Sequence, residues 1–396
     1  MNIGMILDSN FPPDPRVENE AIELIKAGNN VFLFCLTYGN ELLNEEVNGI
    51  KVRRFLSNKL EYKLSALAYT IPLYSKIMEK KIKKFLVENK IKAIHIHDIR
   101  IAEAVFFANK KLALSTVLDL HDNMPEVMKL YPHLQKFPGK YLISPKKWKQ
   151  KEEQFIEKAD KVITVSQEFI NEVVQRTKID LNKIVLVPNT IRKSFYENVS
   201  FDDEIFSKYK DKFVILYVGD THVRRGLQTA IASVKELSKQ IENLKLVIVG
   251  KNTTDSVLKQ QVKELNIEKL VDFEGWQNVA LFPSYIKASA ICISPLHRNI
   301  QHDVAYANKI FQYMSFGKPL LVSNAIAQKK LIEKVNCGLV HKEQDSDDFS
   351  AKISALFNDE NLRNKLGENG KNFVRNEFLW ENTSKGLIEL YDNLKN

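Results

Sequence analysis

Two arginines follow a glycine at a point where the chain could bind a phosphate. In the segment YVGDTHVRRG, Tyr217–Gly226, an apolar strand is predicted to end at Gly219 and a helix to begin near Gly226. A glycine followed by a helix N-terminus lets backbone N–H groups approach a phosphate. Arg224 and Arg225 add fixed positive charge, and a guanidinium can bind a phosphate through two hydrogen bonds. We predict a phosphate contact by Arg225; Arg224 either joins it or lies solvated beside the helix start.

The segment ANKIFQYMSFGKPLLVS, Ala307–Ser323, predicts a helix with one polar face. Asn308 is a favourable N-cap residue, and Gln312 lies four residues later on the same face, where the side chains could hydrogen-bond a ribose. Lys309, in the first turn, could contact a phosphate. On spacing alone an ordinary surface helix fits equally well.

Two further strand ends in the second half carry residues that suit a nucleotide. Gly250 ends the strand of VIVGKNTT, and Trp276 follows the strand of VDFEGWQN. A base could stack on the indole or bind nearby backbone amides, although a tryptophan here could equally pack against the core or its rim. We assign both residues to the binding of a nucleotide.

In the first half, histidines and acidic residues end two predicted strands. The segment HIHDIR places His97 and Asp98 at the end of one strand, and LDLHDN places His121 at the end of another, beside Asp122. We predict that His121 is catalytic; the alternative is a loop histidine whose hydrogen bonds are satisfied. His95, His97 and His121 could be imagined as zinc ligands, but spacing ties no third ligand to the first two, so we predict no metal.

A loop with three prolines, DSNFPPDPRV, follows the first strand. Proline fixes φ, so the loop should be stiff. It is predicted to present Arg16 to a substrate. Together with His97 and Asp98, Arg16 forms the predicted acceptor side of the site.

Short apolar runs alternate with amphipathic stretches along the whole chain. Near-continuous apolar strands separated by helices indicate a parallel sheet that is covered on both faces. The pattern runs to about residue 190 and then restarts. We therefore predict two doubly wound α/β domains, 1–190 and 191–375, and a final helical segment, 376–396. Ligands of such sheets bind beyond the carboxyl ends of the strands, which is where the residues above fall.

The composition narrows the class of protein. The chain has 396 residues, 44% of them hydrophobic, and a formal net charge of +9, which indicates globular domains with anionic partners. Cys35, Cys292 and Cys337 are few and scattered, which fits a reducing compartment. No apolar run reaches the roughly 20 residues that span a bilayer, and the start MNIGMILDSN lacks the features of a signal peptide. We predict a cytoplasmic location.

One stretch combines lysines with aromatic residues. Lys136–Lys151 contains six lysines and no acidic residue, with Phe137, Tyr141 and Trp148 between them. This pattern predicts a surface that binds an anionic membrane or the acceptor; a solvated loop and helix is an equal alternative. The chain contains no recognisable nucleic-acid-binding motif, so no nucleic-acid partner is predicted.

Five segments, taken in order, resemble the retaining glycosyltransferase family 4. Pro12–Val31 is similar to the family's opening loop and first helix, Lys158–Ser166 to one of its strands, and Val187–Ile191 to its hinge. Asn308–Pro319 (NKIFQYMSFGKP) resembles its signature helix, and Phe378–Tyr391 its closing segment. The resemblance covers nearly the whole chain. It implies the GT-B fold, with two Rossmann-like domains facing a cleft and a C-terminal helix returning to the first domain.

The resemblance also implies an activity. A sugar would pass from a nucleotide-sugar donor to a glycan or lipid-linked acceptor, with retention of anomeric configuration and without a metal or other cofactor. By position, Arg225 matches a basic residue on the donor pyrophosphate, Gln312 matches the second glutamate of the E-x7-E signature on the donor ribose, and His121 matches a histidine near the transferred sugar. Trp276 lies where backbone groups meet the base. Relatives commonly serve bacterial polysaccharide or lipopolysaccharide assembly.

Three positions depart from the family pattern. Asp220 stands where the family has arginine, although Arg224 could replace that charge; Gln312 replaces a glutamate, and the first glutamate falls near Val304. An amide can hydrogen-bond a ribose but cannot form a charged pair with it. These departures leave two alternatives open: a non-catalytic transferase-like subunit and a nucleotide-sugar epimerase of the same fold. In place of the lost glutamate, the sugar could be contacted by Gln301, His302 or Asp303, which directly precede Val304.

Overall fold

The computed structural model describes residues 1–39, 41–131, 134 and 136–395. It divides into two compact units. The first unit comprises Met1–Asn189 together with Ser384–Asn396, and the second comprises Thr190–Thr383. Each unit is built on one β-sheet with helices between its strands.

A sheet of eight strands forms the centre of the first unit. Its strands are β1 (Asn2–Ile6), β2 (Asn30–Thr37), β3 (Asn44–Val47), β4 (Ile50–Leu56), β5 (Ala93–His97), β6 (Ser115–Leu120), β7 (Lys161–Thr164) and β8 (Ile184–Leu186). They pair in the order β3-β4-β2-β1-β5-β6-β7-β8, with β3 antiparallel to β4 and the other pairs parallel. The strand order reverses between β1 and β5, which is where sheets of this kind bind ligands.

The helices of the first unit begin at residues that suit a helix start. Asp14 accepts a hydrogen bond from the backbone N–H of Val17, and Ser166 caps another helix in the same way. In chain order the helices are α1 (Pro15–Lys26), α2 (Lys59–Ser65), α3 (Leu73–Glu88), α4 (Ala102–Asn109), α5 (Met124–Met128), α6 (Gly139–Leu142), α7 (Pro145–Lys158) and α8 (Gln167–Thr177).

The second unit contains a six-stranded parallel sheet. Its strands are β9 (Phe213–Val218), β10 (Leu244–Val249), β11 (Val271–Gly275), β12 (Ile291–Ser294), β13 (Leu320–Ser323) and β14 (Gly338–His341). They pair in the order β11-β10-β9-β12-β13-β14. Two apolar clusters cover the two faces of the sheet, because alternate residues of β9 and β10 enter different clusters. The strand order reverses between β9 and β12, so the carboxyl end of β9 lies at the position expected for a ligand.

Ten helices connect and cover this sheet among the described residues. They are α9 (Asp203–Tyr209), α10 (Leu227–Leu237), α11 (Asp255–Glu264), α12 (Phe282–Ala288), α13 (Ile300–Val304), α14 (Asn308–Ser315), α15 (Ile326–Val335), α16 (Ser346–Asn358), α17 (Glu360–Asn376) and α18 (Trp380–Thr383). The last helix of the chain, α19 (Lys385–Asn393), belongs to the first unit and buries Leu387, Leu390 and Tyr391 there. No helix in the described part of the chain is both long and apolar enough to cross a bilayer.

The architecture of two doubly wound sheets is confirmed, but the predicted second boundary is displaced by eight residues. Phe378, Leu379 and Trp380 belong to the second unit rather than to the returning segment. Phe378 and Leu379 pack in its apolar cluster, and the backbone N–H of Trp380 donates to the carbonyl of Ile191 over 2.9 Å. The return to the first unit therefore begins at Ser384.

Candidate functional site

Two glycines bring the ends of β9 and β10 close together in the second unit. Gly219 has φ +124° and Gly250 has φ +146°, conformations that side chains rarely adopt. A Cβ atom on Gly250 would lie 1.8 Å from the carbonyl oxygen of Gly219, so no larger residue fits there. The carboxyl ends of both strands consequently present bare backbone.

A buried lysine lies directly beside this backbone. Lys309 is the second residue of α14, and a Cβ atom on Gly219 would lie 3.0 Å from its Nζ. The side chain is buried, and Nζ lies 3.4 Å from the centroid of the Tyr217 ring. Among the described residues this amine has no hydrogen-bond partner. Burial and the charge of Arg225 hold the pKa of Lys309 well below its ordinary value.

Both predicted arginines converge on one carboxylate. The Nε of Arg225 donates to Oδ2 of Asp220 over 3.2 Å, and Nη2 of Arg224 lies 3.7 Å from the same oxygen. Asn252 donates to the other oxygen over 2.7 Å. Burial alone would raise the pKa of Asp220, but the charge of Arg225 and these hydrogen bonds lower it. Two arginines therefore share a single carboxylate, whose charge also acts on the amine of Lys309.

A neutral histidine adds an acceptor near these cations. His302, in α13, shares a hydrogen bond of 2.7 Å between its Nδ1 and the carbonyl of His297, which places the ring hydrogen on Nδ1. Burial, and the charges of Arg225 and Arg224, lower the pKa of His302 to about 4. Its Nε2 has no partner among the described residues and is left to accept a hydrogen bond. Asp303, by contrast, is bound to Arg298.

The remaining residues predicted for donor binding are placed as follows. Asn308 is exposed and is the first residue of α14; the N-cap is Ala307, without a side-chain hydrogen bond, so the predicted capping role of Asn308 is wrong. Gln312 is half-buried on the same helix. Trp276 is 73% exposed, which removes core packing as its explanation. Val304 is buried and apolar and offers a sugar no hydrogen bond.

In the first unit, a buried carboxylate forms the centre of a second polar cluster. Asp119 lies in β6, and Arg16 donates to its two oxygens from Nε and Nη2, both over 2.8 Å. Nη2 also lies 2.9 Å from Oε1 of Glu20. Burial opposes ionisation of Asp119, but the charge of Arg16 and the contacts of His121 and His97 together outweigh it and keep the pKa of that carboxyl well below its usual range.

His121 lies between two carboxylates. Its Nδ1 is 3.4 Å from Oδ2 of Asp119, and its Nε2 is 3.4 Å from Oδ2 of Asp98. Burial alone would lower the pKa of His121, but Asp98 and Asp119 together raise it to about 10. The ring is therefore an imidazolium at neutral pH, with both N–H groups directed at carboxylates. Burial raises the pKa of Asp98 to about 6 against the opposing charge of His121, and its φ of +68° is unusual for a residue other than glycine.

The structure contradicts the accessible placement of two predicted acceptor contacts. Arg16 lies in the first turn of α1 rather than on the loop, and it is 6% exposed. Its guanidinium donates to Asp119 and to the carbonyl of Val187, and it forms an ion pair with Glu20. His97 is fully buried, with its ring stacked on that of His95 at a centroid distance of 4.5 Å. The sequence placed both near strand ends but could not show that their side chains point inward. Asp98 is partly exposed beside His121 and keeps its predicted place.

Four buried side chains of this cluster have the spacing of metal ligands. The potential ligand atoms lie within 4.8 Å of one another and belong to Glu20, His95, His97 and Asp119. The guanidinium of Arg16 contacts both carboxylates of this set, so it already supplies the positive charge that a metal ion would bring. We therefore read the cluster as an ion-pair network.

Sequence reasoning missed Asp119 and Glu20. A signal for Asp119 exists in the segment TVLDLHD, where one acidic residue interrupts an otherwise apolar strand. A charge buried in a strand requires a partner. That partner, Arg16, lies 103 positions earlier in the chain, a separation that no local pattern reveals.

Both halves of the chain match models of known protein families. Residues 16–195 match the model of Glycosyltransferase Family 4, and residues 198–373 match that of Glycosyl transferases group 1. The capsular polysaccharide biosynthesis glycosyltransferase CapM of Staphylococcus aureus is 22% identical over 244 residues, 56% of this chain and 60% of CapM. The curated relatives that head the comparison are matched over about 60% of their own length.

Solved structures show the same fold. The sucrose-phosphate synthase of Thermosynechococcus elongatus superposes with a TM-score of 0.81 at 19% identity, covering 99% of this chain and 98% of that one. Anabaena Alr3699/HepE, solved in complex with UDP-glucose, superposes with a TM-score of 0.75 at 15% identity, covering 99% and 100%. The two family matches together cover the chain from residue 16 to residue 373 except for 196 and 197, and the sheets match GT-B structures. The chain belongs to the GT-B glycosyltransferases of family 4.

Proposed function

We propose that this glycosyltransferase transfers a hexose from a nucleoside diphosphate sugar to a glycan or lipid-linked acceptor, with retention of configuration and without a metal ion. The second unit binds the donor and the first unit binds the acceptor. The observation that carries the donor assignment is the buried amine of Lys309, which has no hydrogen-bond partner and lies beside the bare backbone of Gly219. A buried cation without a partner is costly unless an anion completes it.

The diphosphate of the donor is the anion that this site suits. Two arginines, Arg224 and Arg225, face Asp220 alone. The amine of Lys309 lies in the first turn of α14, where the helix dipole also favours an anion, and it becomes a third positive charge when it takes up a proton. Trp276 is exposed and free to stack on a base. The Anabaena neighbour was solved with UDP-glucose, which makes uridine donors the first to test.

The chemistry requires stabilisation of two separating charges. The bond from the anomeric carbon to the diphosphate oxygen breaks, leaving an oxocarbenium-like sugar and a departing diphosphate. Lys309 and Arg225 stabilise the diphosphate in place of a metal ion. The acceptor hydroxyl attacks the face that the diphosphate leaves and passes its proton to a diphosphate oxygen. His121, held between Asp98 and Asp119, positions the sugar.

A panel of nucleotide sugars with purified protein tests the proposal. Release of nucleoside diphosphate from one donor, in the presence of excess chelator, would support metal-independent transfer, and the anomeric coupling constant of the product by NMR would report retention. Loss of turnover on chelation, or an inverted product, would contradict the corresponding part. If the protein binds a donor but neither transfers its sugar nor slowly hydrolyses it, the non-catalytic alternative is favoured. The buried, apolar side chain of Val304 motivates that alternative.

Donor binding is expected to take up a proton. Because burial and Arg225 lower the pKa of Lys309, part of the amine is neutral in the free protein. A bound diphosphate raises that pKa again, so a proton enters with the nucleotide, and affinity falls as the pH rises through the amine's free-state pKa. Calorimetry of UDP binding in buffers of different ionisation enthalpy measures the uptake. A binding enthalpy that is independent of the buffer would contradict the prediction.

A membrane-facing role is proposed for a smaller surface than the sequence suggested. Phe137 and Tyr141 are 84% and 77% exposed, but Trp148 is buried against Tyr69. Lys149 and Lys151 are engaged by carboxylates of neighbouring helices. Lys146 and Lys147 also stay exposed at the start of α7, but the exposed aromatic residues lie around α6. We define the lysine–aromatic surface by four residues there: Lys136, Phe137, Lys140 and Tyr141.

Neutralising this surface is expected to weaken binding to anionic vesicles. Replacing Lys136 and Lys140 by glutamine removes two charges, each worth about 1 kcal/mol near an anionic surface, so vesicle affinity should fall by about tenfold or more. The matched control replaces Lys210 and Lys212, two exposed lysines of the second unit. Co-sedimentation with phosphatidylglycerol vesicles at increasing salt measures the effect. Equal binding of both double variants would remove the membrane proposal.

A further inference from the structure

A buried chain of polar groups connects the C-terminal helix of the first unit to His121. It begins at Tyr391 in α19, whose hydroxyl lies 3.0 Å from Nδ1 of His95. Nε2 of His95 lies 3.2 Å from Oε2 of Glu20, and Oε1 of Glu20 lies 2.9 Å from Arg16. Arg16 and Glu20 belong to α1, His95 belongs to β5, and Tyr391 belongs to α19.

One tautomer of His95 suits both of its neighbours. Glu20 lies 3.2 Å from Nε2 without hydrogen-bond geometry, and because a carboxylate only accepts hydrogen bonds, its charge favours the tautomer with the hydrogen on Nε2. Nδ1 is then bare and accepts from the hydroxyl of Tyr391, which burial keeps in its protonated form by raising its pKa. The Tyr391 ring also lies nearly parallel to the His95 ring, at 10°. The C-terminal helix thus fixes the orientation and the tautomer of a histidine in β5.

Arg16 joins this chain to the carboxylate that holds His121. Its planar group spans two carboxylates, those of Glu20 and Asp119, and its Nη1 donates to the carbonyl of Val187 over 3.3 Å. A lysine offers one nitrogen instead of a fork and cannot make these contacts together. Without the fork, Asp119 would keep its place only through His97 and His121 themselves.

We propose that Arg16 and Tyr391 are positioning residues for the transferase reaction: they hold Asp119 in one orientation, and Asp119 holds the ring of His121. This inference rests on the proposed function, since it assumes that His121 takes part in transfer. It assigns to the returning helix a second task besides covering the first unit. It also explains why an arginine predicted to contact substrate is buried instead.

Arg16→Lys and Tyr391→Phe test the proposal at both ends of the chain. Misplacement of a reacting group by about 1 Å can cost about a hundredfold in rate, so Arg16→Lys should lower kcat by about tenfold to a hundredfold with the affinity for UDP unchanged. Tyr391→Phe keeps the ring and loses only the hydroxyl; a smaller loss of kcat, about threefold to tenfold, is expected. Arg16→Gln should lower kcat at least as much as Arg16→Lys does.

The matched control is Arg54→Lys. Arg54 is equally buried in the first unit, at 6% exposure, and its guanidinium binds the carbonyls of Phe11 and Leu42 with no link to Asp119. The Arg54→Lys variant should lose about as much free energy of unfolding as Arg16→Lys, measured by urea unfolding, but it should retain kcat. If Arg16→Lys and Arg54→Lys changed kcat equally, the role of Arg16 would be structural alone and the proposal would fall.

An NMR readout separates this proposal from the proposed function. Two-bond ¹⁵N–¹H correlations of the histidine rings should show His95 protonated on Nε2 and His121 protonated on both nitrogens in the natural sequence. Tyr391→Phe should change the His95 pattern, and Arg16→Lys should shift the His121 signals. Unchanged spectra would overturn the positioning chain, whether or not the protein transfers sugar. Changed spectra in a protein that turns over no donor would refute the proposed function and leave the chain intact.

Discussion

Replacing Lys309 by methionine is expected to weaken UDP binding by about a hundredfold, a loss of about 3 kcal/mol at about 1.4 kcal/mol per factor of ten. Methionine fills similar space against Tyr217. It removes the amine of Lys309, a buried group with no hydrogen-bond partner among the described residues, with which the proposed diphosphate would pair. Removing an unpartnered buried amine should also raise the free energy of unfolding slightly. Isothermal calorimetry measures the affinity, and urea unfolding measures the stability.

Lys318→Met is the matched control for this prediction. Lys318 is a half-buried lysine, three residues beyond α14, but its Nζ donates to the carbonyls of Lys287 and Ser289. Its loss should reduce stability without changing UDP affinity. The opposite signs of the two stability changes make the comparison sharp. Nucleotide binding that survives Lys309→Met at full strength would place the donor phosphates elsewhere.

His121→Ala is expected to lower kcat by a factor on the order of a hundred or more while leaving UDP affinity nearly unchanged. The ring is held by Asp98 and Asp119 in the first unit, whereas the residues proposed to bind the donor belong to the second unit. The alanine variant leaves two carboxylates close together without the imidazolium, so its stability must be measured alongside its rate. Steady-state kinetics with the best donor of the panel provides the measurement.

Arg225→Ala serves as the comparison, because its larger effect should be on UDP affinity and not on kcat. Its loss should weaken UDP binding by about tenfold, less than the loss of Lys309, because Asp220 already pairs with Arg225. The two variants together therefore separate binding from turnover. Small, equal effects on both quantities in both variants would contradict the assignment of donor contact and catalytic role.

The alternation of apolar runs was sufficient to predict both sheets, because strands buried on two faces need near-continuous apolar sequence. The helix predicted within Ala307–Ser323 is found as Asn308–Ser315. The pair β3 and β4 could not be predicted in the same way. The edge strand β3 reads Asn-Glu-Glu-Val and has no apolar run, so it resembles a loop, and β4 carries charged residues at alternate positions instead of a continuous apolar run.

The site was predictable in its parts but not in its connections. Strand ends identified Gly219, Lys309 and His121, since ligand-binding residues of such sheets follow the strands. Whether a polar side chain still has free donors depends on contacts distant in sequence. Lys309 and Arg16 look alike in the sequence as cations near a helix start; the structure leaves the first without a partner and commits the second to Asp119.

The discontinuity of the first unit sets an order for synthesis on the ribosome. Translation completes the second unit, a single uninterrupted segment, while the first unit still lacks its last thirteen residues, Ser384–Asn396. Until these emerge, β8 lacks its cover and His95 lacks Tyr391. A chain on which Thr190–Thr383 is complete but Ser384–Asn396 has not yet emerged therefore carries a whole second unit and an incomplete first unit, so the His121 network is completed only after the second unit has been synthesised.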